Sequence, residues 1–128
     1  MHTDWNALTE GLSGPLRELR LGAPEVMKGF STLVHAALGG TTLDPKTKEL
    51  IALGISVATR CAPCIAYHAE GAVKQGASRS DVAETLAMAI YMGAGPSVMY
   101  AAEALEAVDQ LAKGRTRPVT VVQAANSA

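Results

Sequence analysis

The sequence predicts an all-α fold, a compact antiparallel bundle of about six helices. Alanine is abundant, valine, isoleucine and threonine are not, and only 4% of the 128 residues are aromatic, which favours closely packed helices over sheets. Apolar residues recur three and four positions apart along most of the chain. Prolines and glycines stand where helices are expected to begin and end. The chain should therefore consist of successive helices joined by short turns.

The first helix is predicted from Trp5, Leu8 and Leu12, whose spacing places them on one face. We expect the run Ser13-Gly14-Pro15 to interrupt this helix, because glycine and proline both disfavour helix interiors. A short second turn is expected to follow, up to Leu21.

Two prolines indicate the starts of the next helices. Pro24 and Pro45 each occupy the expected first helical position, where proline is well tolerated. The helix at Pro24 keeps its apolar repeat until the glycine pair 39–40. Asp44 provides a side-chain cap for the helix at Pro45, which extends to about Thr59. We expect this third helix to be central, because its apolar surface is wide.

Three more helices complete the predicted bundle. Gly76 and the cap residue Ser78 separate the first two of them, and Gly93-Ala94-Gly95-Pro96 separates the last two. They are expected at about 62–75, 78–91 and 96–113. We therefore predict a single all-helical domain over residues 1–113, followed by a flexible C-terminal tail over 114–128 that has little to bury.

The charge balance and the N-terminus exclude several classes of function. Lys and Arg number 11 against 12 Asp and Glu, a net charge of -1, so nucleic acid is not an expected partner. No basic segment followed by an apolar run opens the chain, which makes the cytoplasm the expected compartment. The uncharged stretch 85–102 approaches the length of a membrane span, but its Gly- and Pro-rich centre breaks it, so no membrane partner is expected.

The residues suited to redox chemistry lie close together in the sequence. Cys61 and Cys64 are the only two cysteines, and their spacing lets the two sulfurs form a disulfide with little backbone movement. Near a helix start, the helix dipole favours thiolate over thiol. His68 follows Cys64 by one helical turn and is the natural base. We expect Glu49, on the preceding helix, to orient the imidazole.

Other interpretations of these residues are open at this point. The cysteines are also suited to be small core residues. A second alternative is a zinc site formed by Cys61, Cys64 and His68, with Glu49 or His35 as a fourth ligand. Structural zinc sites mostly contain a second close pair of ligands, which this sequence lacks, so we predict no metal and no cofactor. Covalent haem attachment is excluded, because histidine does not directly follow the second cysteine.

The runs Leu43–Leu53, Cys61–His68 and Ala72–Ser78 resemble the carboxymuconolactone decarboxylase family, and within it the alkylhydroperoxidase D-like branch. The resemblance covers about Pro24–Leu111. It implies an all-helical fold assembled as a homo-oligomer, commonly a trimer or hexamer. It also implies a dithiol that is oxidised while a hydroperoxide is reduced, and a dithiol reductant that in the best-known relatives is carried by a lipoyl-bearing protein.

By this resemblance, four residues correspond to the family's proton relay and redox cysteines: Glu49, Cys61, Cys64 and His68. The sequence departs from the branch prototype at Ala62-Pro63, because the prototype has a histidine between its cysteines. The decarboxylases that give the family its name act on a lactone acid without a dithiol, so the cysteine pair argues against that reaction.

We therefore predict a thiol-dependent peroxidase in which one cysteine attacks the peroxide and the other then closes the disulfide. Which cysteine attacks first stays open. A carboxymuconolactone decarboxylase-type lyase and a non-enzymatic redox-sensing oligomer are the alternatives.

Overall fold

The computed structural model describes residues 3–114, which form five α-helices and no β-strand. The all-α prediction is confirmed for this range, and the five helices are one fewer than the expected number of about six. The flexible tail predicted for 114–128 lies, apart from Gly114, outside the described residues. In chain order the helices are α1 (Trp5–Gly22), α2 (Pro24–Leu38), α3 (Pro45–Ala58), α4 (Ala62–Lys74) and α5 (Arg79–Lys113).

The core lies between α3, α4 and α5, which pack against one another, while α1 packs across α4 and α5. Half of the buried positions of α4 and α5 are alanines, whose small side chains let helix backbones approach closely. α3 contacts both of these helices, in agreement with its wide apolar surface. The largest fully buried side chains are Trp5, Leu53, Val57, Ile65 and Val82.

Side-chain caps fix the starts of α3 and α5, as the sequence predicts. Asp44 Oδ1 accepts the amide N–H of Thr47 at 2.7 Å, and Ser78 and Asp81 accept each other's amide N–H groups in a capping box. The backbone amide of Thr47 lowers the pKa of Asp44, and that of Ser78 lowers the pKa of Asp81. Both caps therefore stabilise the fold above the ordinary carboxyl pKa, and this contribution is lost as pH falls through the lowered values.

α1 continues through Pro15, so the predicted interruption at residues 13–15 is wrong. Pro15 has no N–H to donate to the carbonyl of Gly11, but both residues are exposed, and water can solvate the freed oxygen. The buried side chains of Trp5 and Thr9 anchor the first turns of α1 in the protein. Tertiary packing thus outweighs the local preference of the Gly-Pro pair.

The break predicted at residues 93–96 is a kink within α5, so the two helices expected on either side of it count as one. The helix has a kink at Ala94, whose φ of 54° and ψ of −139° are not helical. A Cβ on Gly93 would overlap the side chain of Ser97, so only glycine fits at this bend. In the range 3–114, no helix combines the length and the hydrophobicity needed to cross a membrane.

α2 differs from the other four helices described, because none of its side chains is buried. It packs mainly against α1. Val26, Phe30 and Leu33 follow the helical repeat and remain 71%, 57% and 62% exposed. This apolar face contributes little to the stability of its own chain, since it removes little apolar area from water.

Gln110 attaches the N-terminal segment to α5. Its Oε1 accepts the backbone N–H of Trp5 at 2.9 Å, and its Nε2 donates to the carbonyl of Thr3 at 2.9 Å. These two bonds hold the start of α1 where the Trp5 ring is buried.

We expect Gln110→Ala to lower the free energy of unfolding by about 1–3 kcal/mol, because it leaves two backbone groups without their partner. Urea denaturation measures this change. The matched control is Gln75→Ala, at an exposed glutamine, where we expect a change below about 0.5 kcal/mol. Equal effects of the two substitutions would contradict the role given to Gln110.

Candidate active site

The two cysteines form a disulfide at the start of α4. Cys61 is the N-cap residue of the helix and Cys64 lies in its first turn, with the two Cα atoms 5.2 Å apart. The backbone N–H of Cys64 donates to Sγ of Cys61, with nitrogen and sulfur 3.3 Å apart. This donor and the positive end of the helix dipole stabilise negative charge on the Cys61 sulfur when the disulfide is opened.

Both cysteines are half-buried, so the disulfide is not sealed inside the core. Pro63 lacks an N–H, but it lies at the second position of α4, where a backbone N–H would have no partner within the helix. The two residues after Cys64, Ile65 and Ala66, are fully buried and hold α4 against the core. Apolar packing of Ile65 and Ala66 therefore fixes the start of α4, while the two sulfurs beside it stay partly accessible to solvent.

His68 lies one helical turn after Cys64 and forms a hydrogen bond from α4 to α3. Its Nδ1 is 2.9 Å from Oε2 of Glu49. An ionised carboxylate only accepts, so Nδ1 carries the hydrogen, and Nε2 of the neutral ring is left as an acceptor. The side chains of His68 and Glu49 are 35% and 19% exposed, so the imidazole reaches water while the carboxylate is more enclosed.

The structure thus brings Glu49 and His68 into contact and bonds Cys61 to Cys64, as expected from their spacing. His35, considered above as a zinc ligand, lies near the end of α2, the helix that packs mainly against α1. Among the described residues, no group of three or more His, Cys, Asp or Glu side chains is arranged to hold a metal ion.

Gly71 is a site residue that the sequence reasoning missed. It follows His68 by three positions on α4, and the carboxylate of Glu49 lies directly against its Cα. A Cβ on Gly71 would overlap Cδ and Oε2 of Glu49 and would lie 3.0 Å from Oε1. The missing side chain is therefore what leaves room for the carboxylate beside the imidazole. A glycine inside an otherwise alanine-rich helix was the available signal.

A second cluster of polar side chains, formed by Tyr67, Glu70 and Lys74, lies on a neighbouring face of α4. Burial raises the pKa of Tyr67, the nearby Glu70 carboxylate raises it further, and Arg20 of α1 opposes both. Glu70 is buried and forms an ion pair with Lys74 at 3.7 Å. Since Tyr67 is three residues after Cys64, this group adjoins the disulfide and links α4 to α1.

An apolar groove with a volume of about 430 Å³ lies between α3 and α5. Its α3 wall follows a helical repeat from Thr47 to Ala58, and Met88 and Met92 form part of its α5 wall. Glu49 is positioned between the groove residues in sequence and points away from them by helical geometry. The groove and the Glu49 carboxylate therefore lie on opposite sides of α3.

Comparison with known proteins gives consistent matches. The family model described as the carboxymuconolactone decarboxylase family matches residues 24–107. An uncharacterised protein of Haemophilus influenzae is 46% identical over 107 residues, which cover 84% of this chain and 95% of that protein. An uncharacterised protein of Cupriavidus necator is 34% identical over 111 residues, which cover 87% and 98%. The crystal structure of a carboxymuconolactone decarboxylase family protein from Legionella pneumophila has a TM-score of 0.82 at 47% identity, covering 84% of this chain and 96% of that one.

Gly71→Ala tests the packing of the Glu49 carboxylate. Replacing glycine by alanine inside a helix normally stabilises it by about 0.5–1 kcal/mol. At Gly71 we expect a loss of about 1–3 kcal/mol instead, because the new methyl group overlaps the carboxylate. Chemical denaturation measures the difference.

The controls separate this overlap from a general effect on helices. Gly29→Ala, where an added Cβ meets nothing within 4 Å, should give the ordinary gain. In a Glu49→Ala background, Gly71→Ala should also become stabilising, because the overlapping group is gone. A loss of the same size in both backgrounds would contradict the proposed contact.

Proposed function

The chain belongs to the carboxymuconolactone decarboxylase family, and on that premise we propose that it is a thiol-dependent peroxidase of the alkylhydroperoxidase D-like branch. Its substrate is a hydroperoxide, and its reductant is an external dithiol, such as one carried by a lipoyl-bearing protein in the cytoplasm. The observation that carries the proposal is the half-buried Cys61–Cys64 disulfide with the hydrogen-bonded His68–Glu49 pair one turn away.

The first step begins from the reduced dithiol. Cys61 passes its proton through the neighbouring Cys64 thiol to Nε2 of His68, which lies one helical turn after Cys64, and Glu49 stabilises the imidazolium that forms. The Cys61 thiolate attacks the terminal peroxide oxygen, the O–O bond breaks, and the alcohol leaves with the proton returned by His68. Cys61 is thereby oxidised to a sulfenic acid. We assign the attack to Cys61 because its sulfur accepts the N–H of Cys64.

The second step restores the disulfide that the structure contains. The thiol of Cys64 attacks the sulfur of the Cys61 sulfenic acid, the S–O bond breaks and water leaves. An external dithiol then reduces the disulfide by two successive exchanges and is itself oxidised to a disulfide. The half-buried position of both cysteines supports this step, since the reductant must reach a sulfur.

We expect Cys61→Ser and Cys64→Ser each to lower dihydrolipoamide-dependent peroxide consumption by more than about 100-fold, because each removes one half of the covalent cycle. The two variants should differ after peroxide treatment. Cys64→Ser should keep a sulfenic acid at Cys61, which dimedone traps and mass spectrometry locates. Cys61→Ser should yield no adduct at Cys64.

The outcomes of this assay also separate the alternatives. Peroxide turnover that is unchanged in both serine variants contradicts a peroxidase. Carbon dioxide release from a lactone acid that survives both substitutions favours the lyase. A change of assembly on disulfide formation, without turnover of either substrate, favours the non-enzymatic redox sensor.

We further propose that the chain assembles with copies of itself, α2 of one copy binding in the α3–α5 groove of another. The apolar stripe of α2, from Val26 to Ala37, and the α3 wall of the groove, from Thr47 to Ala58, each span eleven residue steps. Each is therefore about 16 Å long in an α-helix. Helices that bind in grooves use such a repeat of apolar anchors.

The exposed side chains of the groove support this arrangement. Ile51 and Ile55 on α3, with Met88 and Met92 on α5, are large, apolar and exposed. Large exposed apolar patches are typical of interaction sites rather than of free surface. Methionine adapts its shape to a partner and suits such a surface. The trimer or hexamer implied by the family resemblance is compatible with repeated use of this contact.

Phe30→Glu should raise the dissociation constant of the assembly at least about ten-fold, because the substitution places a carboxylate in an apolar contact. Light scattering on a size-exclusion column measures the assembled mass over a dilution series. Lys28→Glu, on the opposite face of α2, is the control and should leave the mass unchanged. The proposed contact is contradicted when both variants keep the mass of the parent.

A further inference from the structure

The turn that leads into the disulfide has an arginine in a conformation that favours glycine. α3 ends with two backbone hydrogen bonds that close its last turn. The N–H of Arg60 donates to the carbonyl of Val57, and the N–H of Cys61 donates to the carbonyl of Ser56, both at 3.1 Å. Arg60 adopts the left-handed conformation that this pattern requires, with φ of 58°.

α4 ends with the same pattern and offers an internal comparison. The N–H of Gly76 donates to Val73 at 3.1 Å, and the N–H of Ala77 donates to Ala72 at 2.9 Å. Here the left-handed residue is a glycine, with φ of 81°. Glycine has no Cβ and adopts this conformation without steric cost. The chain therefore uses the favourable residue at the end of α4 and a less favourable one at the end of α3.

Packing and ion pairing do not account for the arginine. The side chain of Arg60 is exposed, and within residues 3–114 it has no ion-pair or hydrogen-bond partner. Its charge is therefore not neutralised by a carboxylate of the described chain. What distinguishes its position is the next residue, Cys61, whose sulfur takes part in the disulfide.

We infer that Arg60 determines which reductant is used, by attracting dithiols that carry a carboxylate or another negative charge. The inference rests on the proposed redox use of the disulfide and adds the chemical class of its partner. A unit positive charge on the residue next to Cys61 raises the local concentration of an anionic reactant and stabilises the transition state in which it approaches. A neutral dithiol gains nothing from that charge.

The reaction concerned is the reduction of the disulfide. A thiolate of the reductant attacks one sulfur of the Cys61–Cys64 pair, the S–S bond breaks, and the released cysteine thiolate takes up a proton. The second thiol of the reductant then attacks the mixed disulfide, releases the other cysteine and closes the disulfide of the reductant. Two electrons and two protons pass from the reductant to the protein. The charge of Arg60 acts on the approach in the first exchange.

Dihydrolipoate and dihydrolipoamide form a matched pair of probes, because they are the same dithiol with a carboxylate or a neutral amide at the end of the chain. Their second-order rate constants for reducing the oxidised protein are measured in the absence of peroxide. We expect Arg60→Gly to lower the dihydrolipoate to dihydrolipoamide rate ratio about three-fold at low salt, as for unit charges roughly 6 Å apart in water.

The controls distinguish charge from structure. Arg60→Lys should keep the ratio of the parent, and Lys28→Ala, a charge removed from α2, should also keep it. Salt at about 1 M should lower the rate ratio of the parent to that of Arg60→Gly, because charges more than about 3 Å apart are then largely screened from each other. Arg60→Gly should be at least as resistant to thermal unfolding as the parent, because glycine suits the left-handed turn.

An unchanged ratio in Arg60→Gly would overturn the inference, and so would failure of both dithiols to reduce the protein. A ratio that falls as expected, in a protein that does not consume peroxide, supports the role of Arg60 and contradicts the peroxidase. A protein that consumes peroxide, but whose rate ratio is unchanged in Arg60→Gly, supports the peroxidase and contradicts the role of Arg60. The two proposals can therefore fail separately.

Discussion

The close approach of α3 and α4 at Gly71 is the constraint on which the candidate site depends. Because this position has no side chain, the Glu49 carboxylate of α3 lies against the α4 backbone and reaches the imidazole of His68. Cys61 is the N-cap residue of the same helix α4, so this helix fixes where the disulfide lies relative to the ring, and the contact with α3 fixes how the ring is oriented. The alanines that fill most buried positions of α4 keep this approach close along the helix.

The sequence predicted best what depends on neighbours along the chain. Proline starts, the Asp44 and Ser78 caps and the stop at Gly76 are local events, and each lies where expected. The break expected at residues 93–96 coincides with the kink at Ala94, whereas the one expected at Pro15 does not occur, because packing and solvation of the freed carbonyl let α1 continue. The pairing of Glu49 with His68 was predictable from the positions of the two residues on neighbouring helices. The role of Gly71 was not, because it depends on which atoms of α3 face α4.

α3 joins the two surfaces to which we assign function. One side of it carries Glu49 toward α4, and the other lines the apolar groove between α3 and α5. The proposed chemistry and the proposed assembly thus use different faces of one short helix. A helix with apolar contacts on both sides cannot shift toward one without loosening the other, because packed interiors deform little. Binding in the groove would therefore hold Glu49 in place.

The backbone around Cys61 is fixed on both sides, by its own N–H bonded to Ser56 and by its carbonyl accepting from Ile65. Opening the disulfide therefore changes side-chain torsions and leaves the helix start as it is. The two sulfurs stay neighbours at a high effective concentration, so a sulfenic acid on one meets the other thiol before it meets a second oxidant molecule. In an excess of oxidant such an arrangement protects against the irreversible sulfinic and sulfonic states.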